Sequence, residues 1–209
     1  MHEELKERLR QVEKTFDGKA FWDIINQVKR YKINDNELLK HIAYISQKRF
    51  REKVSFTLSI PVGNLLEIAL TITAVVLAFR VSSEWMLYIS SLLIMGTLHP
   101  LSHYITGSLI GIKFTHYYLN GPARIEPTLK IDYFSYLKTA PKRRALMHAS
   151  GVIGTVIAPL IAALIALSKG VPSAAFNLFI LFLLLIIFEI LTSTKIGDLM
   201  RAKREYGYR

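Results

Sequence analysis

The sequence predicts an all-α polytopic membrane protein with about four transmembrane helices, a small cytoplasmic β-ribbon and an N-terminal cytoplasmic helical cap. Three observations carry this. Of the 209 residues 51% are hydrophobic and 21% charged, and the two classes are segregated along the chain, which separates it from an ordinary soluble domain. Four nearly charge-free runs, 61–79, 85–112, 145–167 and 174–194, approach or exceed the roughly 20 residues that cross a ~30 Å hydrocarbon core at ~1.5 Å per residue. Of the 27 Lys and Arg, only Arg80 falls between the first two runs and only Lys169 between the last two. The positive-inside rule therefore puts both termini and the 113–144 loop in the cytoplasm of a multi-pass cell-membrane protein.

Residues 1–53 form the charged cytoplasmic region and 54–209 the membrane domain. Within the first, Leu5, Leu9, Val12 and Phe16 recur at helical spacing, as do Trp22, Ile25 and Val28, and then Leu38, Ile42 and Ile45. Asp17-Gly18 divides the first helix from the second, and Asn34 with Glu37 resembles a capping box opening the third. A small amphipathic cap lying on the bilayer is the expectation. The charged opening residues lack the apolar run of a cleavable signal peptide.

In the first span, Glu67 lies inside an apolar run, where a carboxylate is costly and marks a functional candidate or a structural hydrogen bond. The second run is long enough that it must tilt, kink or project, and Pro100 supplies a kink by removing a backbone donor. In the 113–144 loop, Phe114–Leu119 and Arg124–Tyr133 read as strands around an Asn120-Gly121-Pro122 turn, with Pro127 confining the second to an edge or a bulge. The third span opens on Met147-His148-Ala149-Ser150-Gly151, and its small residues through Gly154 permit close helix packing. The fourth ends near Glu189, and a basic tail follows.

The net charge of +11 invites a nucleic-acid partner, but its placement at the membrane points to anionic lipid headgroups instead. The absence of cysteine leaves His, Asp and Glu as the residues able to hold a metal. His99 and His103 stand at i and i+4, on one helical face, close enough to share one zinc ion. Depth from the outer end of each straight helix ranks a third ligand: His99 and His103 come to ~21 and ~27 Å, Glu189 to ~24 Å, His148 to ~28 Å and Asp198 to ~37 Å. Depth favours Glu189 or His148, and Asp198 enters only if Thr192–Gly197 unwinds or folds back.

His99-Pro100-Leu101-Ser102-His103, followed by Gly107 and Gly111, resembles the zinc-binding helix of the site-2 protease family of intramembrane metalloproteases, and residues 130–151 resemble the stretch leading into that family's small-residue helix. Asp198-Leu199-Met200-Arg201 is similar to its Asp-Gly-Gly-Arg ending. The resemblance spans about residues 85–205. It implies one zinc on His99, His103 and Asp198, a transmembrane protein as substrate or client, and an extended substrate strand beside the loop ribbon. Pro100 stands where the family has its catalytic glutamate, so the resemblance implies a divergent, catalytically impaired metallopeptidase. Glu67 or Glu189 is then the surrogate base. The alternatives are a non-catalytic pseudoprotease that binds metal or membrane helices, and a small ion transporter whose path runs through Glu67, His99, His103 and Glu189.

Overall fold

The computed structural model describes residues 2–121, 125–192, 195 and 197–208. Pro122 of the expected turn, Arg124 of the expected strand, and Ser193 and Thr194 at the end of the expected fourth span lie outside them.

The N-terminal region folds into α1 (His2–Thr15), α2 (Gly18–Arg30) and α3 (Asn36–Lys53). Their apolar stripes face one another rather than a bilayer: Leu5, Leu9, Val12, Ile25, Val28, Leu38, Ile42 and Ile45 are buried together with Phe21 and Ile24. Each such burial contributes about 1.5–3 kcal/mol, which gives the cap a core of its own. Trp22, expected inside, is 47% exposed, and its neighbour Phe21 takes the inward place. The break between α1 and α2 falls as expected. Phe16 adopts a positive φ of 53°, and the Asp17 carboxylate accepts hydrogen bonds from the N–H groups of Lys19 and Ala20. At α3 the cap is Asp35, one residue beyond the expected Asn34, and it accepts from the N–H groups of Glu37 and Leu38.

Helices α4 (Ile60–Arg80), α7 (Pro141–Ser168) and α8 (Pro172–Thr192) are long and apolar enough to cross a membrane. Helix α5 (Glu84–Leu109) has 26 residues and runs through Pro100, but Ser90, Ser91, Thr97 and its two histidines dilute its hydropathy. Its polar side is turned inward. Ser90, Ser91 and Thr97 are buried, and Thr71 of α4 hydrogen-bonds to Thr97 at 2.7 Å. Helix α5 packs against α4 and α7, and α8 packs against α7. Alanines at these contacts (Ala74 with Ala158, Ala78 with Ala162, Ala166 and Ala174) let the backbones approach closely.

The expected ribbon is a three-stranded antiparallel sheet in the order β1 (Leu58–Ser59), β2 (Phe114–Asn120), β3 (Glu126–Ile131). The extra strand comes from the residues leading into α4. Pro127 of β3 stands opposite Leu119 of β2, and β3 pairs only with β2 among the described residues, the edge position that a strand proline requires. A short helix, α6 (Tyr133–Lys138), follows within the same loop, and its Tyr133, Phe134 and Leu137 pack on the cap's core. The basic tail is also helical: α9 (Gly197–Gly207) starts at Gly197, with φ +83°, and packs along α7.

Candidate metal centre

His99 and His103 project from one face of α5 with ring centroids 4.8 Å apart. Each has its Nδ1 engaged. His103 Nδ1 lies 2.7 Å from the Met147 carbonyl, which can only accept, so Nδ1 carries the proton. His99 Nδ1 lies 2.8 Å from Thr155 Oγ1, and that hydroxyl already donates to the Gly151 carbonyl at 3.1 Å, so here too Nδ1 donates. Where both rings are neutral, each therefore turns an Nε2 lone pair outward.

Both lone pairs meet a third acceptor. Asp198 Oδ2, on the first turn of α9, lies 3.2 Å from His99 Nε2 and 3.0 Å from His103 Nε2. Three acceptors at such distances repel unless a positive charge sits among them, either protons on the rings or one cation. The three ligand atoms all lie within 4.8 Å of one another. Ligands ~2.0–2.2 Å from a tetrahedral zinc stand about 3.3–3.6 Å apart. The donor set, two oriented imidazoles and a carboxylate, suits zinc once its widest pair, up to 4.8 Å apart, closes to that spacing, and the Nδ1 hydrogen bonds are the outer partners that orient such ligands.

Asp198 reaches the histidines because the straight-helix depth argument fails at the end of α8. That helix stops at Thr192 and α9 begins at Gly197, so the aspartate does not lie on an extension of the span. Burial raises its carboxyl pKa, but the hydrogen bonds and charges of His103 and His99 outweigh this and hold it well below the usual carboxylate range. Its other oxygen, Oδ1, lies 3.1 Å from Arg201 Nη1 and 4.0 Å from His148 Nδ1.

The other sequence candidates are placed differently. His148 is one layer out, with Nε2 held 2.9 Å from the Tyr136 hydroxyl. Glu189 lines an apolar groove between α7 and α8 with Val156, Leu160 and Phe182, not the histidine cavity. Glu67 is buried on α4 and is likewise off that cavity's wall, whereas Glu189, though outside it, stays within electrostatic reach of His99 and Asp198. The cavity, about 230 Å³, is roofed by β3 and, among the described residues, holds one carboxylate besides Asp198, that of Glu126. By sequence pattern alone Glu126 is only one residue of the expected 124–133 strand. Its position depends on the turn: Gly121 has φ +71°, and a Cβ there would lie 2.4 Å from Glu126 Oε2.

The small residues of α7 make room for the centre. A Cβ on Gly151 would fall 2.2 Å from His103 Nε2, and one on Gly154 would fall 2.6 Å from the Leu98 carbonyl. Ser150 Oγ adds a hydrogen bond of 3.0 Å to the Ser102 carbonyl.

No protein-family model, curated protein or solved structure matches the chain.

Proposed function

We propose that the chain is a four-span membrane protein of site-2-protease type that holds one zinc ion on His99, His103 and Asp198 and whose hydrolytic step is impaired by Pro100. The observation that carries the reading is the convergence of two Nε2 lone pairs and a carboxylate oxygen from α5 and α9. Zinc bound there would supply a Lewis acid to a peptide carbonyl.

Parity supports the fourth crossing and the orientation. Lys29 of α2 pairs with Glu205 of α9 in a buried contact, so the N-terminal cap and the C-terminal helix share one side of the membrane. An even number of crossings follows, and α5, at 26 residues or ~39 Å, supplies the one that α4, α7 and α8 lack. The positive-inside rule makes that shared side cytoplasmic.

The chain's own residues then divide the work. Pro100 lines the cavity but offers no proton acceptor, and general acid–base help of this kind is typically worth ~10²–10⁴ in rate. Glu126 replaces Glu67 as the carboxylate in position to take that role. The free edge of β3, beside the histidines, offers backbone groups to an extended segment of a membrane-anchored client. A non-catalytic, metal-holding homologue is the second reading, favoured by Pro100 itself. The transporter alternative has the least support, because neither Glu67 nor Glu189 is on the wall of the histidine cavity.

Metal analysis of the detergent-purified chain tests the centre. About one equivalent of zinc is expected, abolished in His99→Ala/His103→Ala and reduced more by Asp198→Ala than by Glu189→Ala. Full zinc content in the double histidine variant would remove the site. Against membrane-anchored peptides, turnover gained by Pro100→Glu with zinc retained identifies a protease scaffold without its base. If wild type already cleaves, Glu126→Gln should lower the rate by about 10²-fold or more at unchanged zinc content, and the pseudoprotease reading fails.

A further inference from the structure

A second cavity, about 660 Å³, separates the N-terminal cap from the sheet close to the start of α4. Its volume falls in the ~300–1,000 Å³ range of small-molecule sites. Arg49 and Lys53 of α3 and Lys130 of β3 line it, and no carboxylate does among the described residues. Three cations facing one space without an acid repel each other and attract anions.

Lys130 shows that this imbalance is built in. Its ammonium hydrogen-bonds to Ser46 Oγ at 2.5 Å and sits 5.3 Å from the ring centroids of both Phe50 and Tyr133. Aromatic faces and one hydroxyl compensate a half-buried ammonium only in part. Burial, with Asp132 opposing it, pushes the lysine down to about 8. Arg49 is likewise supported by rings, 5.7 Å from Phe21 and 5.9 Å from Phe16. Both side chains are held in place while their charge is left for a ligand.

The rim indicates which anion. Trp22, Phe56 and Leu119 line the same cavity and are 47%, 63% and 48% exposed. Phe56 lies only four residues before Ile60, the first residue of the apolar helix α4. A cationic floor beneath an apolar, aromatic lip at the mouth of a membrane helix matches an amphiphile with an anionic head.

We propose that this cleft binds the phosphate-bearing headgroup of an anionic membrane lipid, with Arg49, Lys53 and Lys130 on the phosphate and Trp22, Phe56 and Leu119 against the acyl chains. The site stands independently of the zinc reading. It nevertheless touches the same strand: Leu129 and Ile131, either side of Lys130, line the histidine cavity, and Asn120 borders both spaces.

The chain has two tryptophans, so Trp85→Phe leaves Trp22 as a reporter inside the cleft. The full-length Trp85→Phe protein in non-ionic micelles is titrated with phosphatidylglycerol, phosphatidylcholine or inorganic phosphate, and Trp22 emission is followed. Phosphatidylglycerol should give a saturable change, weakened about fivefold for each cation removed by Arg49→Gln or Lys130→Gln. Lys53→Gln, an exposed position, should act in the same direction without any burden on folding. Arg30→Gln, exposed and outside the cleft, should leave the titration unchanged. Equal responses to the two lipids would overturn the proposal in favour of apolar partitioning of the acyl chains, and an Arg30→Gln effect as large as that of Lys53→Gln would overturn it in favour of diffuse surface charge. An equal, variant-sensitive response to inorganic phosphate would overturn the lipid source.

Discussion

Gly151 and Thr155, one turn apart on the same face of α7, hold the histidine pair, one by leaving space and the other by filling a hydrogen bond. A methyl group at position 151 would stand 2.2 Å from His103 Nε2, so Gly151→Ala must push the imidazole off Asp198 or part α5 from α7. Overpacking of this kind costs about 1–3 kcal/mol. Thr155→Val keeps the shape but removes the acceptor that keeps His99 Nδ1 protonated, and loss of such an outer partner typically weakens metal binding about 10–100-fold. Both variants should lose zinc faster than wild type during dialysis against a chelator, and only Gly151→Ala should also lower the unfolding temperature. At this scale the i, i+4 histidines were legible in the sequence because helical spacing alone sets them on one face. Asp198 was legible only through the Asp-Leu-Met-Arg resemblance and not from depth, because depth along a rod cannot register that a new helix opens at Gly197 with φ +83°. Glu126 was hidden for a similar reason: alternation identifies a strand but not the cavity that the strand roofs.

Helix α9 presents Asp198 at one end and is anchored near the other by a buried charge cluster. Glu205 is 1% exposed and accepts from Lys29 of α2 and from Arg144 Nε of α7, the latter at 2.7 Å. Arg144 also donates to the Thr139 carbonyl, and Tyr208 donates to Asn26 at 3.0 Å. Two cations share one carboxylate, so removing the carboxylate leaves both unpaired. Breaking a buried pair this way costs about 3–5 kcal/mol. Glu205→Gln should therefore release α9, seen as faster amide exchange in residues 198–207 and as loss of zinc, although position 205 touches no ligand atom. Burial raises the Glu205 carboxyl, but Lys29 and Arg144 outweigh this and hold it below its ordinary value. A depressed folded-state pKa contributes stability that is fully present above the unfolded value of ~4.3 and lost as pH falls through the folded one. Wild-type unfolding temperature should thus drop on acidification below about pH 4, and Glu205→Gln should show less of that drop. The three cap helices were legible from their apolar spacing, down to the Asp17-Gly18 break. The cluster tying them to α9 was not, since Lys29 and Glu205 are 176 residues apart and each alone reads as an ordinary surface charge.

For the whole molecule, the Lys29–Glu205 contact turns a local ion pair into a statement about topology. Three helices, α4, α7 and α8, are long and apolar enough to cross, and three crossings would leave the termini on opposite sides of the bilayer with α2 and α9 unable to meet. With α5 as the fourth, the termini return to one side and the turns near Ser82 and Lys169 lie together on the other. Lys169 there is spent on structure: its ammonium donates to the carbonyls of Ala78 and Val81 at 3.2 and 2.6 Å, closing the last turn of α4. In that proposed arrangement the far side would be nearly free of uncommitted positive charge, as the positive-inside rule requires of translocated loops. Reporters placed at the C-terminus and after Asn120 should read cytoplasmic, and reporters at Ser82 and after Lys169 should read external. If Asn120 and Lys169 report the same side, α7 does not cross. If Ser82 and Asn120 do, α5 lies within the protein as a re-entrant helix, and the meeting of cap and tail must then be re-examined by cross-linking cysteines introduced at Asn26 and Tyr208. With four crossings, Asn26→Cys/Tyr208→Cys should be joined within one chain by a bifunctional thiol reagent that spans the length of the two side chains now in contact. Failure of that cross-link, with the protein still folded, would remove the parity argument and with it the assignment of α5 as a span.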